Sequence, residues 1–222
     1  MRSDRLLRDA DNATLEKAAA ENHRQLFSVN SVCLGGKVCK EENIEWTYID
    51  GNQASAVLFP SLTKENASEQ LDLLMAGYRA QPPESAGYWS LLPASPDNTG
   101  LLLLARGWQP GWQPCWMAID TLSKPLEYSL TREIRIIADN GIDITGIRDM
   151  PYAANGLYMS STLLHQHPER AQRFVALMNN EVIGHCVLFF SDGELGVAGM
   201  YCVSVLPSQR RRGLGKALVL AA

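Results

Sequence analysis

The feature that most constrains this chain is a junction close to its C-terminal end, Tyr201-Cys-Val203-Ser-Val205-Leu-Pro207-Ser-Gln-Arg210-Arg-Arg212-Gly213-Leu-Gly215-Lys216-Ala-Leu218. An apolar, strand-like run stops at Pro207, which has no N–H to give to a strand ladder. Three arginines and two glycines follow, and then a helix begins. A strand that turns straight into a helix leaves several backbone N–H groups unpaired at the helix start. The helix dipole makes that point favourable for an anion. Glycine lets a ligand come close to the backbone, and arginine adds charge shaped for phosphate. The segment reads as a cradle for phosphate or pyrophosphate.

Three cradles were weighed against it. A Walker loop needs Gly-x-x-x-x-Gly-Lys-Ser/Thr; Gly215-Lys216 supplies the second half, but position 210 is Arg and position 217 is Ala. A dinucleotide fingerprint needs Gly-x-Gly-x-x-Gly; Gly213 and Gly215 fit, and Leu218 breaks it. The third pattern is Arg/Gln-x-x-Gly-x-Gly/Ala after a strand ending in Val-x-Pro. Arg210, Gly213 and Gly215 match it, with Val205 and Pro207 in place ahead.

Periodicity predicts the elements around this junction. Residues 12–27 and 66–80 read as helices, each with an apolar face, the second closed by Pro82-Pro83. Residues 44–48 and 55–59 read as strands joined by an Asp50-Gly51 turn, 88–92 as a further strand, and 101–105 as a short helix entered at Asn98 or Thr99. Residues 112–119 look strand-like. Residues 120–126 lack periodicity and contain a proline, which puts a lobe boundary there. Beyond it, 134–137 reads as a strand and 152–166 as a helix ending near His167-Pro168. Residues 174–178 and 182–190 read as a hairpin turning at Asn179-Asn180, 196–206 as the strand before the cradle, and 211–222 as the helix after it. There is no exact internal repeat.

Composition removes several classes. With 46% hydrophobic and 20% charged residues the chain is globular rather than disordered. A formal net charge of -4 gives no general footprint for nucleic acid. No apolar run approaches the ~20 residues of a membrane helix, so no membrane partner is expected. The five cysteines have neither zinc nor disulfide spacing, which suggests reduced thiols and a cytoplasmic location. His165 and His167 have no third ligand nearby, so no metal site is expected.

With the strand, the hairpin and the loop in hand, the chain resembles the GNAT superfamily of N-acetyltransferases over roughly residues 170–222, and more weakly over 125–170. Residues 1–124 are similar to the degenerate N-terminal lobe of some bacterial two-lobe members, on the strength of Gly107-Trp108 followed by Trp116-Met117. The resemblance implies a mixed α+β (α/β) fold with a central, mostly antiparallel sheet flanked by helices. It implies an N-terminal lobe over 1–124 without a cofactor loop and an acetyltransferase lobe over 125–222. The family's usual acid is a tyrosine on a later helix, so the second lobe is expected to be incomplete, truncated within the helix after the loop.

Acetyl-CoA is the implied co-substrate. Its pyrophosphate would sit on the N–H groups from Arg210 through Arg211, Arg212, Gly213, Leu214 and Gly215 to Lys216, and its pantetheine arm would pair with Val203 and Val205. The reaction would be direct attack of an amine, from an unknown small-molecule or peptide acceptor, on the thioester. Tyr201 and Glu194 are the candidate acid and base. Ser204 and His185 are weaker candidates, Cys202 reads as a buried thiol, and Trp89, Trp108, Trp112 and Trp116 read as N-lobe core. A regulatory acyl-CoA-binding protein without turnover stands as the alternative, and a basic turn that binds an acidic partner as a third.

Overall fold

The computed structural model describes residues 10–49, 54–112, 116–118, 130, 133–153 and 159–222. The chain forms two compact units, one of residues 27–116 and one that joins residues 1–26 to residues 117–222. Helix α1, Asn12–Cys33, supplies residues to both. Among the described residues no helix is long and apolar enough to cross a membrane.

The unit of residues 27–116 continues from α1 through β1 (Lys37–Lys40), β2 (Glu45–Ile49), β3 (Ala54–Leu58), α2 (Ala67–Ala80), β4 (Ser85–Trp89) and α3 (Thr99–Leu104). Its sheet runs β1-β2-β3-β4, antiparallel except for the parallel β3/β4 pair. A parallel pair needs a crossover between its strands, and α2 is that crossover. The Ala-Ser-Ala-Val-Leu sequence of β3 is buried along its whole length, as a central strand covered on both faces requires. Trp46, Val57, Leu71, Leu74 and Tyr78 close the core. The exposed strand β1, Lys-Val-Cys-Lys, has no apolar alternation to reveal it in the sequence.

The second unit carries β5 (Ile134–Ala138), α4 (Ser161–Gln166), β6 (Ala171–Met178), β7 (Glu181–Phe190), β8 (Ala198–Val205), a 3-10 turn at Pro207–Gln209, and α5 (Leu214–Ala221). Its sheet, β5-β6-β7-β8, is antiparallel throughout. Asn179 and Asn180 both take positive φ, 52° and 66°, as the predicted two-residue hairpin demands. Helix α5 lays Leu214 and Leu218 on Ala176, Ile183 and Cys186. Both units repeat one order, a helix, three antiparallel strands and a helix, although their sequences show no repeat.

Two expectations are corrected. The helix expected over 152–166 begins only at Ser161. Tyr152 has φ 56°, and the extended Ser160 caps the helix by accepting the Leu163 N–H at 3.1 Å. The strand-like stretch 112–119 has no strand at Trp112 or at 116–118. The compact units divide between Trp116 and Met117, and residues 10–26 belong with the second unit. The reason is Asn22 of α1, whose Nδ2 reaches the Phe189 and Val197 carbonyls at 3.1 and 2.8 Å and Ser191 Oγ at 3.0 Å. The Asp50-Gly51 turn and the segment 120–126 lie outside the described residues.

Candidate cofactor-binding site

The site starts with a fault in β8. Tyr201 pairs with Val187 and Ser204 with His185, so Cys202 and Val203 together oppose Cys186 in a β-bulge. Cys202 holds φ 54°, a left-handed conformation that costs a residue with a Cβ roughly 1–2 kcal/mol. Val203 is 37% exposed. Farther along, the Leu206 N–H donates to Ile183 O at 2.9 Å. Antiparallel alternation then turns the N–H and C=O of Val205 away from β7, and those of Val203 with them.

The chain next makes the 3-10 turn, which uses the N–H groups of Gln209 and Arg210 on Leu206 O and Pro207 O. Arg211 and Gly213 follow at φ 60° and 78°. The first helical bond of α5 runs from the Ala217 N–H to Gly213 O at 2.9 Å. Between them, the N–H groups of Arg211, Arg212, Gly213, Leu214, Gly215 and Lys216 have no hydrogen-bond partner among the described residues. A Cβ built on Gly213 or Gly215 meets nothing within 4 Å, so no protein atom fills the space in front of either. That space is an open cleft of about 230 Å³, lined by Val205, Gln209, Arg210, Arg211, Gly213, Leu214, Gly215 and Lys216.

The side chains reinforce the charge. Arg210 Nε donates to Val205 O at 3.3 Å, and Arg212 is held by Gln209 Oε1 and Met178 Sδ. Among the described residues no carboxylate lies within ion-pair distance of Arg210, Arg211, Arg212 or Lys216. Their charge and the α5 dipole thus face one cleft, which suits a polyanion. The expected N–H series shortens at one end, because Arg210 spends its N–H in the turn and contributes its side chain instead.

The unit of residues 27–116 has a strand-to-helix junction in the same place, after β3, and it is closed. Ser61 N–H is taken by Asn43 O, Thr63 N–H by Asn66 Oδ1, Asn66 N–H by Thr63 Oγ1 and Ala67 N–H by Thr63 O. Residues 59–66 contain no glycine. Four of its amides are thus taken by neighbouring residues, and no glycine opens the backbone between them.

The candidate acid and base are not brought together. The Tyr201 hydroxyl donates to Asn22 Oδ1 at 2.5 Å, its ring stacks edge-on against His23, and burial pushes its pKa far up. Glu194 is an exposed turn residue before β8, at the opposite end of that strand from the cleft. The Cys202 thiol is pushed up to about 11 by burial, as a buried thiol should be. Ser204 Oγ and His185 Nε2 both reach Pro151 O at 3.0 Å. His165 and His167 bind Ser161 O and Glu169, and not each other. Trp89 and Trp108 pack on Phe27, Tyr78 and Tyr88, while Trp112 is 72% exposed. Sequence reasoning missed Arg173, only 5% exposed on β6. The signal was available: in the alternation of Ala171–Met178, Arg173 falls on the same face as Ala171 and Val175, both of them buried.

The comparisons agree with this geometry. The model of the acetyltransferase (GNAT) family matches residues 146–222, the stretch that holds β6 through α5. No curated protein matches the sequence. Among solved structures, a GCN5-related N-acetyltransferase from Kribbella flavida superposes with a TM-score of 0.60 at 14% identity, over 90% of this chain and 78% of that one. A Drosophila protein of 16% identity gives 0.45, over 94% of this chain and 74% of that one. The bulged strand and the open amides after it lie within the residues that match the acetyltransferase (GNAT) family model, and the fold is similar to that of a GCN5-related N-acetyltransferase.

Proposed function

We propose that the chain is an N-acetyltransferase that moves an acetyl group from acetyl-CoA to a primary amine. The observation that carries this reading is the row of unpartnered N–H groups from Arg211 to Lys216, opening on a cleft walled by uncompensated cations. These amides receive the pyrophosphate. The outward-turned backbones of Val203 and Val205 receive the pantetheine amides, and the thioester carbonyl comes to lie at the bulge, where a backbone N–H polarises it. The amine, having given up a proton, attacks the carbonyl carbon. A C–N bond forms, the C–S bond breaks, and the departing thiolate takes up a proton to become the CoA thiol. The free thiols of Cys33, Cys39, Cys186 and Cys202 suit a reducing, cytoplasmic setting.

A second reading, acyl-CoA sensing without turnover, is favoured by the commitment of the Tyr201 hydroxyl to Asn22 and the remoteness of Glu194. Calorimetric titration of acetyl-CoA into wild type and Gly213→Asp tests the shared part. Binding by the wild type that the variant loses supports it, and unchanged binding by the variant overturns it. Release of CoA thiol in the presence of amines then separates the enzyme from the sensor.

A further inference from the structure

Arg173 is the one Arg, Lys, Asp or Glu among the described residues that is buried. Its Nη1 donates to Ile142 O at 3.0 Å, while its Nε is buried without a partner. No carboxylate among the described residues forms an ion pair with it. Asp139 and Asp143 act on it only at longer range. One oxygen of each, Oδ1, accepts hydrogen bonds from Gly141 and Ile142 or from Thr145. A guanidinium left this way is costly, because burial removes water and nothing replaces it.

A second orphan stands beside it. Arg173 pairs with Val187, and His185 lies two residues from Val187 on β7, so both side chains are on one sheet face. His185 is 1% exposed. Its Nε2 faces a carbonyl, Pro151 O, which only accepts, so Nε2 carries the proton and Nδ1 presents a lone pair. That Nδ1 is also buried without a partner. Burial first, against the Pro151 hydrogen bond and with the charge of Arg173, holds this imidazole below the ordinary histidine pKa. Cys202 of the bulge lies within the electrostatic reach of the same guanidinium. An unanswered donor and an unanswered acceptor therefore share one face of the sheet, within electrostatic reach of each other and of Cys202 at the bulge.

We propose that Arg173 and His185 form the recognition site for the acceptor, and that the acceptor is an amine that also carries a carboxylate. Its carboxylate is held by the Arg173 guanidinium and its N–H by His185 Nδ1. A carboxylate fits a guanidinium by two parallel bonds, and an amine N–H fits a bare imidazole nitrogen. The proposal names the substrate class of the acyl-transfer reading and rests on it, but binding of the acceptor is measured separately from binding of acetyl-CoA.

The test uses the full chain labelled with ¹⁵N, observing the Arg173 Nε–H and the His185 ring nitrogens. One arm adds a mixture of free amino acids and the other the corresponding amino acid amides. The proposal expects both sites to shift with the acids, with affinity for the amides weaker by about tenfold or more. Arg173→Lys keeps the charge, loses the fork, and weakens the acids by about tenfold. No shift with either mixture, equal shifts with both, or wild-type affinity in Arg173→Lys overturns the proposal and leaves the orphans bridged by a buried water only. If acetyl-CoA binds while the amino acids do not, this inference fails alone. If the amino acids bind while acetyl-CoA does not, the acyl-transfer reading fails.

Discussion

The hydroxyl of Tyr201 donates a 2.5 Å hydrogen bond to Oδ1 of Asn22, 179 residues away in the sequence. The same Asn22 side chain, 1% exposed, gives its amide to Phe189 O, Ser191 Oγ and Val197 O. One side chain thus fixes the end of the β7–β8 hairpin and the start of the strand that carries the bulge. Asn22→Ala strands a carbonyl and a hydroxyl inside the protein, and should cost about 2–4 kcal/mol in urea unfolding.

Gly199 owes its identity to the same contact. A Cβ there would collide with Asn22 Oδ1 and come within 2.7 Å of the Tyr201 ring. Gly199→Ala should therefore destabilise by about 2 kcal/mol. Combined with Asn22→Ala, the loss should be smaller than the sum of the two, since the second change removes the obstacle. Additive losses in denaturant titrations would disprove the contact.

The bulge gives a sharper test at Cys202. Its φ of 54° tolerates glycine and opposes a β-branched side chain. Cys202→Val should cost about 2 kcal/mol or more, whereas Cys202→Gly should stay within about 1 kcal/mol of wild type although it gives up a buried thiol. Equal losses in thermal denaturation would show that the conformation is not imposed by the fold.

The elements of the second unit were largely legible in the sequence. The Asn179-Asn180 hairpin, the strand before Pro207 and the helix after the glycines follow from local chemistry, namely left-handed tolerance, a proline stop and a glycine start, although the helix read from residue 211 begins only at Leu214. What the sequence hid depends on contacts between distant residues. Asn22 looks like any polar residue of an amphipathic helix, yet it satisfies a hairpin 167 residues on. Tyr201 read as a candidate acid because its strand position was visible and its hydrogen-bond partner was not. The bulge at Cys202 is a matter of register, set by pairing with β7, and no residue type announces it.

Stability should also fall as the pH drops through the histidine range. Burial holds His23 down to about 4, so its ring stays neutral in the folded chain while the unfolded chain takes up a proton below about 6.5. The sign follows from the proton count: the unfolded state binds more protons, so acid favours unfolding. The contribution is intact above pH 6.5 and is lost progressively towards pH 4, amounting to about 2 kcal/mol between pH 7 and pH 5. His185 is lowered for the same reason and adds with the same sign. Urea midpoints of wild type and His23→Gln over that range check it; a variant as pH-sensitive as wild type would contradict it.

The central claim concerns the amides after β8, and Gly215 separates cofactor binding from folding. Its φ is not left-handed and its Cβ position is open, so Gly215→Val should leave the melting temperature almost unchanged while weakening acetyl-CoA by about tenfold or more.

The most direct measurement is a ¹H–¹⁵N correlation spectrum of the chain titrated with acetyl-CoA. The account predicts that the amide resonances of Arg211 to Lys216 shift most, with Val203 and Val205 following, and that those of Ser61 to Ala67 at the closed junction stay where they are. Shifts centred elsewhere, or none in the Arg211–Lys216 series at saturating acetyl-CoA, would contradict it.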